Sequence, residues 1–210
     1  MTYDDSSALF GLTPQVRRLS EGLSTHDLSS QAALPAMFTL LDAASWPSDF
    51  AVFELGWMMI RESTHSFSPF SVHRSMVGYG RSLVRSSLGR AVLTAATPAM
   101  RQEMLEICAS LVPEDADLAR DRRYIQRLVS RTRRDGYASS VGETEQGISA
   151  IAVPIKGHGP VLGSLNIVFF TSAMTPQVAA SRYLGDLKRA ARTIERRWRT
   201  ARRNAGGAVA

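Results

Sequence analysis

The spacing of apolar residues changes period several times along the chain, and each change marks an element. Residues 148–155 and 161–170 are two apolar, β-branched runs joined by Lys156-Gly157-His158-Gly159-Pro160, a link rich in turn formers. Such a pair reads as a β-hairpin. Asp49–Leu55 and Trp57–Ser63 read as a second strand pair around Gly56, and Val72–Val77 as a further short strand leading to Gly78-Tyr79-Gly80. Other segments follow helical spacing. Leu12, Val16, Leu19 and Leu23 share one face of a short helix started by Thr13-Pro14, and His26-Asp27 caps a second helix through Ala32, Met37 and Leu41 to Ala44. Ser86–Leu93 is helix-like, and Thr97-Pro98 opens a helix that Val112-Pro113 ends. Asp117–Arg134 reads as one long charged helix closed by Asp135-Gly136. A last helix runs from Thr175-Pro176 to about Arg203, with Asn204–Ala210 frayed.

Strands that come in adjacent pairs favour antiparallel pairing over βαβ crossovers, so the pattern predicts an α+β domain: an antiparallel sheet flanked by helices. A length of 210 residues suits one such domain with an attached helical segment. Hydrophobic residues make up 44% and charged residues 21%, ordinary for a soluble protein, and no apolar run approaches the ~20 residues needed to span a bilayer. Met1–Ser7 carries Asp4 and Asp5 and no apolar stretch, unlike a secretory signal. The single cysteine, Cys108, leaves no intrachain disulfide or multi-cysteine metal site and fits a reducing cytoplasm, where it behaves as a small buried apolar residue.

The net charge of +6 suggests nucleic acid until it is located. Between Ser181 and Arg203 nine cations face two acids, a net +7 that leaves the remainder of the chain at −1. The excess sits on one terminal helix. A solvated helix face explains it best, since charge runs on helices usually face water, and a phosphate-contacting surface is the sharper alternative. Two short N-terminal helices also invite a helix-turn-helix reading, but Asp27–Leu41 has no Arg or Lys to reach phosphate or guanine.

Motifs for catalysis are scarce. Gly80-Arg81-Ser82 and Gly147-Ile148-Ser149 both lack the final glycine of a nucleophile elbow. Gly78-Tyr79-Gly80 and Gly157-His158-Gly159 continue into neither a dinucleotide loop nor a P-loop. His65 and His73, eight residues apart near Glu62, lack a third spaced metal ligand and read as surface or hydrogen-bonded histidines. Glu143 and Glu145 alternate in a polar turn and read as solvated acids, with a pocket-rim role open to Glu143.

One succession of residues carries more. Gly136-Tyr137-Ala138, a short acidic segment, Gly147-x-Ser149-Ala150-Ile151-Ala152-x-Pro154-Ile155 and a second apolar strand closely resemble the effector-binding domain of the IclR family of bacterial transcription regulators. Gly11-Leu12-Thr13-x-x-Val16-Arg17-x-Leu19 is similar to the start of that family's linker, and the segment from Trp57 to His65 is similar to family members that regulate aromatic-acid catabolism. The resemblance implies a GAF-like antiparallel sheet flanked by helices, with N-terminal linker helices. It divides the chain into a linker at 1–27 following an absent winged helix-turn-helix, an effector-binding domain at 28–203 and a frayed tail at 204–210. It further implies a cytoplasmic ligand sensor, not an enzyme, acting as a homodimer or tetramer without a cofactor, and reaching operator DNA through the missing winged helix.

Carried over by position, the effector pocket falls on Arg81, Ser87, Leu88, Ser140, Ala150, Asn166 and Val168. In members that bind small acids, a carboxylate stands in place of Ser140, a cysteine in place of Ala150, and serines in place of Asn166 and Val168. Physical chemistry adds to this map. Ser86 and Ser87 open a helix whose free amides and positive end suit a carboxylate, although capping alone explains Ser86 equally well, and Arg81 can add a forked contact. Ala150 and Val168 enlarge the apolar wall, which suits an aromatic ring better than a two-carbon acid. An aromatic organic acid is therefore the expected effector. The alternatives are a small enzyme acting on an aromatic acid derivative, with His65, His73 or Glu143 as general base, and a GAF-like module of another signalling protein.

The charge distribution makes one direct prediction. If the terminal helix is only solvated, this chain alone shows no binding to duplex DNA even at low salt, as measured by fluorescence anisotropy across a salt series, whereas affinity falling steeply with salt marks a phosphate-contacting surface.

Overall fold

The computed structural model describes residues 2–4, 9–11, 24–74, 76–157 and 161–206. A short antiparallel pair, β1 (Thr2–Asp4) and β2 (Leu9–Gly11), precedes α1 (Ser24–Ala44). Then come β3 (Asp49–Glu54), β4 (Trp57–Ser63) and β5 (Gly80–Ser82), followed by α2 (Ser87–Ala95) and α3 (Pro98–Leu111). A single 3-10 turn leads to α4 (Ala116–Arg120) and α5 (Arg122–Asp135). The chain finishes with β6 (Ala138–Val141), β7 (Ile148–Lys156), β8 (Val161–Phe170) and α6 (Pro176–Gly206). Strands β3 to β8 form one antiparallel sheet in the order β5-β4-β3-β8-β7-β6.

The two hairpins read from the sequence meet in the middle of this sheet, where Phe50 pairs with Leu165 and Ala51 with Ser164. Alternation then sorts their side chains onto two faces. Phe50, Val52, Ile151, Val153, Ile155, Leu165, Ile167 and Phe169 point to one side, against Met37 and Leu40 of α1 and Leu187, Ile194 and Trp198 of α6. Ala51, Met58 and Ile60 point to the other, against Leu88 and Val92 of α2, Leu105 and Cys108 of α3 and Leu128 of α5. A small cluster of Ala91, Ala138 and Ala152 brings α2 close to β6 and β7. Cys108 lies wholly inside, where burial, with Asp115 and Glu114 nearby, pushes its thiol up to about 12. Among the described residues no helix is long and apolar enough to cross a membrane.

Four local readings change. Val72–Val77 is not a strand: the edge of β4 pairs instead with Gly80–Ser82 and, through Ile60, with Gly78 and Tyr79. Val72 and Val77 are left exposed. The helix read over Asp117–Arg134 is two, because Asp121 adopts an extended conformation and its carboxylate accepts hydrogen bonds from the amides of Arg123 and Tyr124, capping α5 as a new helix. Helix α1 begins at Ser24, so His26 and Asp27 lie within its first turn and not ahead of it. The last helix continues past Arg203 to Gly206, and residues 207–210 lie outside the described residues. So do the helix read over Leu12–Leu23 and the turn at His158–Pro160. On α6, Arg182, Arg189, Arg192, Arg196, Arg197, Arg199, Arg202 and Arg203 are all exposed, while the helix's apolar stripe is buried.

Gly163 is where the halves of the sheet meet most tightly. A Cβ there would stand 2.3 Å from the Ala51 carbonyl oxygen, a backbone atom that cannot swing aside. Gly163→Ala therefore destabilises the domain by about 1–3 kcal/mol, read as a lower urea midpoint with an unchanged slope.

Candidate functional site

The start of α2 is built by a short turn folded back on itself. Ser86, in an extended conformation at the N-cap, accepts a hydrogen bond from the Gly89 amide at 3.0 Å and donates to the Ser82 carbonyl at 2.5 Å. Gly89 is required because a Cβ would lie 2.0 Å from the Leu83 carbonyl oxygen. The Ser82 hydroxyl in turn donates to buried Asp115 at 2.5 Å, which also pairs with Arg85 at 3.0 Å. Ser164 of β8 donates to the Leu88 carbonyl at 3.0 Å and ties the helix to the sheet. With Ser86 committed to capping, the amides of Ser87 and Leu88 remain among those that helix geometry leaves without an internal partner.

These amides stand at the edge of a small cavity of about 40 Å³, lying between the helix start, the inner face of β6–β8 and the segment from His65 to His73. Arg81, Ser86, Ser87, Leu88, Ser140, Ala150, Asn166 and Val168 all line it. Four separate stretches of chain thus bring eight of the nine residues named from the sequence to one place. The hydroxyls of Ser87 and Ser140, in residues only 2% and 5% exposed, have no hydrogen-bond partner among the described residues. Asn166 is committed: its oxygen accepts from the Asp49 amide at 2.6 Å, which directs its NH2 toward the Asp49 carboxylate at 3.4 Å.

The ninth residue, Glu143, is not in the lining. Its carboxylate takes a two-pronged bond from Arg90, whose guanidinium also donates to the carbonyls of Val84 at 3.0 Å and Ser139 at 2.7 Å and to the Tyr124 hydroxyl at 2.9 Å. Burial opposes the charge on Arg90, but Glu143 and Tyr124 outweigh it and hold the guanidinium above its ordinary value. The acid on the cavity rim is Glu145 instead.

Glu145 belongs to a polar string that the sequence did not reveal. It pairs with His73 Nε2 at 2.7 Å and with Arg81 at 3.6 Å. The His73 carbonyl accepts from Ser71 Oγ at 2.7 Å, and Ser71 Oγ meets His65 Nδ1 at 2.6 Å. His65 Nε2 then lies 3.6 Å from the carboxylate of Asp49. Among the described residues no group of three or more His, Cys, Asp or Glu side chains is arranged to hold a metal ion. The one available signal was Asp49 itself, a charged residue sharing the alternation of Ala51 and Phe53 and so facing the same side as the pocket strands.

A sheet with helices on both faces, enclosing a buried polar cavity under a helix N-terminus, is the architecture of a small-molecule sensor. The family model described as bacterial transcriptional regulator IclR C-terminal matches residues 26–196, and the chain belongs to this family. It is the effector-binding domain of a transcriptional regulator, and its solved relatives are regulators, not enzymes. The fold is similar to that of an IclR family regulator from Brucella abortus, with a TM-score of 0.69 at 22% identity over 91% of this chain and 71% of that one. It is also similar to the C-terminal domain of the E. coli regulator KdgR, with a TM-score of 0.64 at 19% identity over 81% and 98% of the two chains. An IclR homologue from Microbacterium hydrocarbonoxydans, solved in complex with 4-hydroxybenzoate, matches with a TM-score of 0.66 at 24% identity over 88% and 74%.

The web around Arg90 fixes α2, and with it one wall of the cavity. Arg90→Ala leaves two carbonyls and a carboxylate without their donor and lowers stability by about 1–3 kcal/mol in urea unfolding. Arg90→Lys recovers only part of that loss, since an ammonium carries three donors and no planar fork.

Proposed function

We propose that this domain binds a small aromatic acid and uses it to modulate operator binding by a winged helix outside this chain. The observation that carries this reading is the convergence of Ser87, Ser140, Ala150 and Val168 on one buried cavity beneath the positive end of α2. The carboxylate is received by the Ser87 hydroxyl and the amides of Ser87 and Leu88, with Arg81 at the rim. The ring lies against Ala150, Val168 and Leu88. That a relative of the same fold is known with 4-hydroxybenzoate supports an aromatic acid as the effector class.

A cavity of about 40 Å³ holds no more than a few water molecules, so the acid enters with an outward movement of the segment around Phe70 and Val72, which are 44% and 65% exposed. Closure of that segment and α2 over the ligand favours one arrangement of subunits in a homodimer or tetramer, and hence one spacing of DNA-binding heads, by differential affinity alone. Such a regulator works where its operator is, in the cytoplasm.

Isothermal titration against benzoates, phenylpropionates and small aliphatic keto acids tests the reading. Aromatic acids bind and keto acids do not, and Ser87→Ala weakens the aromatic acid by roughly tenfold, the worth of one hydrogen bond to a charged group. Binding of a keto acid with none of any aromatic acid overturns it.

A further inference from the structure

We propose that Asp49 and His65 form a second recognition end of the cavity, reading a hydrogen-bond donor on the ring, so that the preferred ligand is a ring-hydroxylated aromatic acid. The proposal rests on the reading of the cavity as an aromatic-acid site and names the substituent that reading leaves open.

The observation is a pair of buried polar groups without partners. The side chains of Asp49 and His65 are each 4% exposed, both residues line the cavity, and neither Asp49 Oδ1 nor His65 Nε2 has a hydrogen-bond partner. Buried polar atoms in folded proteins are nearly always satisfied, so two neighbouring orphans at a cavity wall ask for a missing group. Proton accounting says which kind. Ser71 has one hydroxyl proton, and its bond to the His73 carbonyl at 2.7 Å uses it. At the 2.6 Å contact with His65, Ser71 can only accept, so His65 Nδ1 carries the imidazole proton. In the neutral ring Nε2 is then a bare lone pair, and it faces the Asp49 carboxylate at 3.6 Å.

This end of the cavity is therefore rich in acceptors. Asn166 is fixed by the Asp49 amide with its NH2 toward the carboxylate, but at 3.4 Å it reaches only Oδ2 and leaves Oδ1 open. A phenolic hydroxyl supplies the proton that Oδ1 lacks. An ether oxygen or a second carboxylate supplies none and sets a further lone pair against two others. The arrangement thus selects by chemistry as well as by size: carboxylate at the α2 end, apolar ring against Ala150 and Val168, donor at the Asp49 end.

The test is calorimetric titration of the protein and of Asp49→Asn with benzoate and 3-phenylpropionate series, each as the parent, hydroxy, amino and methoxy compounds at the meta and para positions. In the unaltered protein, at least one hydroxy compound binds about tenfold or more tighter than its parent, the amino compound follows it, and the matching methoxy compound binds more weakly than the parent. In Asp49→Asn, whose amide can present an N–H, the hydroxy advantage shrinks to less than about threefold and the methoxy compound gains. If parents bind but hydroxy and methoxy compounds bind equally at every position, this inference fails and the aromatic-acid reading survives. If no aromatic acid binds, both fall. Should Asp49→Asn not fold, the ligand series on the unaltered protein decides alone.

Discussion

One guanidinium holds the site together. Arg90 projects from the second turn of α2 and bonds to the turn before its own helix, to the β6 backbone, to the loop after β6 and to a tyrosine on α5. Because each acceptor belongs to a different segment, the guanidinium makes the position of α2 a property of the whole layer. The helix start, the Ser86 cap and the orientation of Ser87 follow from that. A buried arginine is favourable only when its donors are matched, and here Glu143 completes the match. This explains why Glu143 is structural: its charge is needed where the helix is fastened.

The larger architecture was legible because it rests on period and punctuation. The hairpin of β7 and β8 was visible in two apolar runs with a turn-forming link, and Gly136 closed α5 as a glycine in the left-handed region does. Thr97-Pro98 marked the start of α3 by a hydroxyl cap and a first-turn proline. Where the reading erred, a local contact competed with period. Asp121 stands within an otherwise helical run, and only its side chain reaching back to two amides turns one helix into two. Val72–Val77 alternates like a strand, yet the strand edge within its reach is satisfied by residues just beyond it.

The cavity was legible in part, and the divide is physical. Ala150, Asn166 and Val168 lie on neighbouring strands at alternating positions, so finding the hairpin finds them together. The string from Asp49 through His65, Ser71 and His73 to Glu145 spans almost a hundred positions of sequence, and its members meet only because the His65–His73 segment folds across the sheet edge. No spacing rule links them. His65 was read as a hydrogen-bonded or surface histidine, and the structure makes it a buried, hydrogen-bonded one.

The alternation of the central strands has a last consequence. On β7 and β8 the residues facing the cavity, Ala150, Asn166 and Val168, are covalent neighbours of Ile151, Leu165, Ile167 and Phe169, which bear on α1 and α6. The two faces of the sheet therefore share one backbone. A strand that tilts or twists on one side carries the other side with it, and the layer of helices beneath feels any displacement at the cavity without a side-chain relay between them. The sheet is a partition that keeps the two compartments chemically separate and mechanically joined.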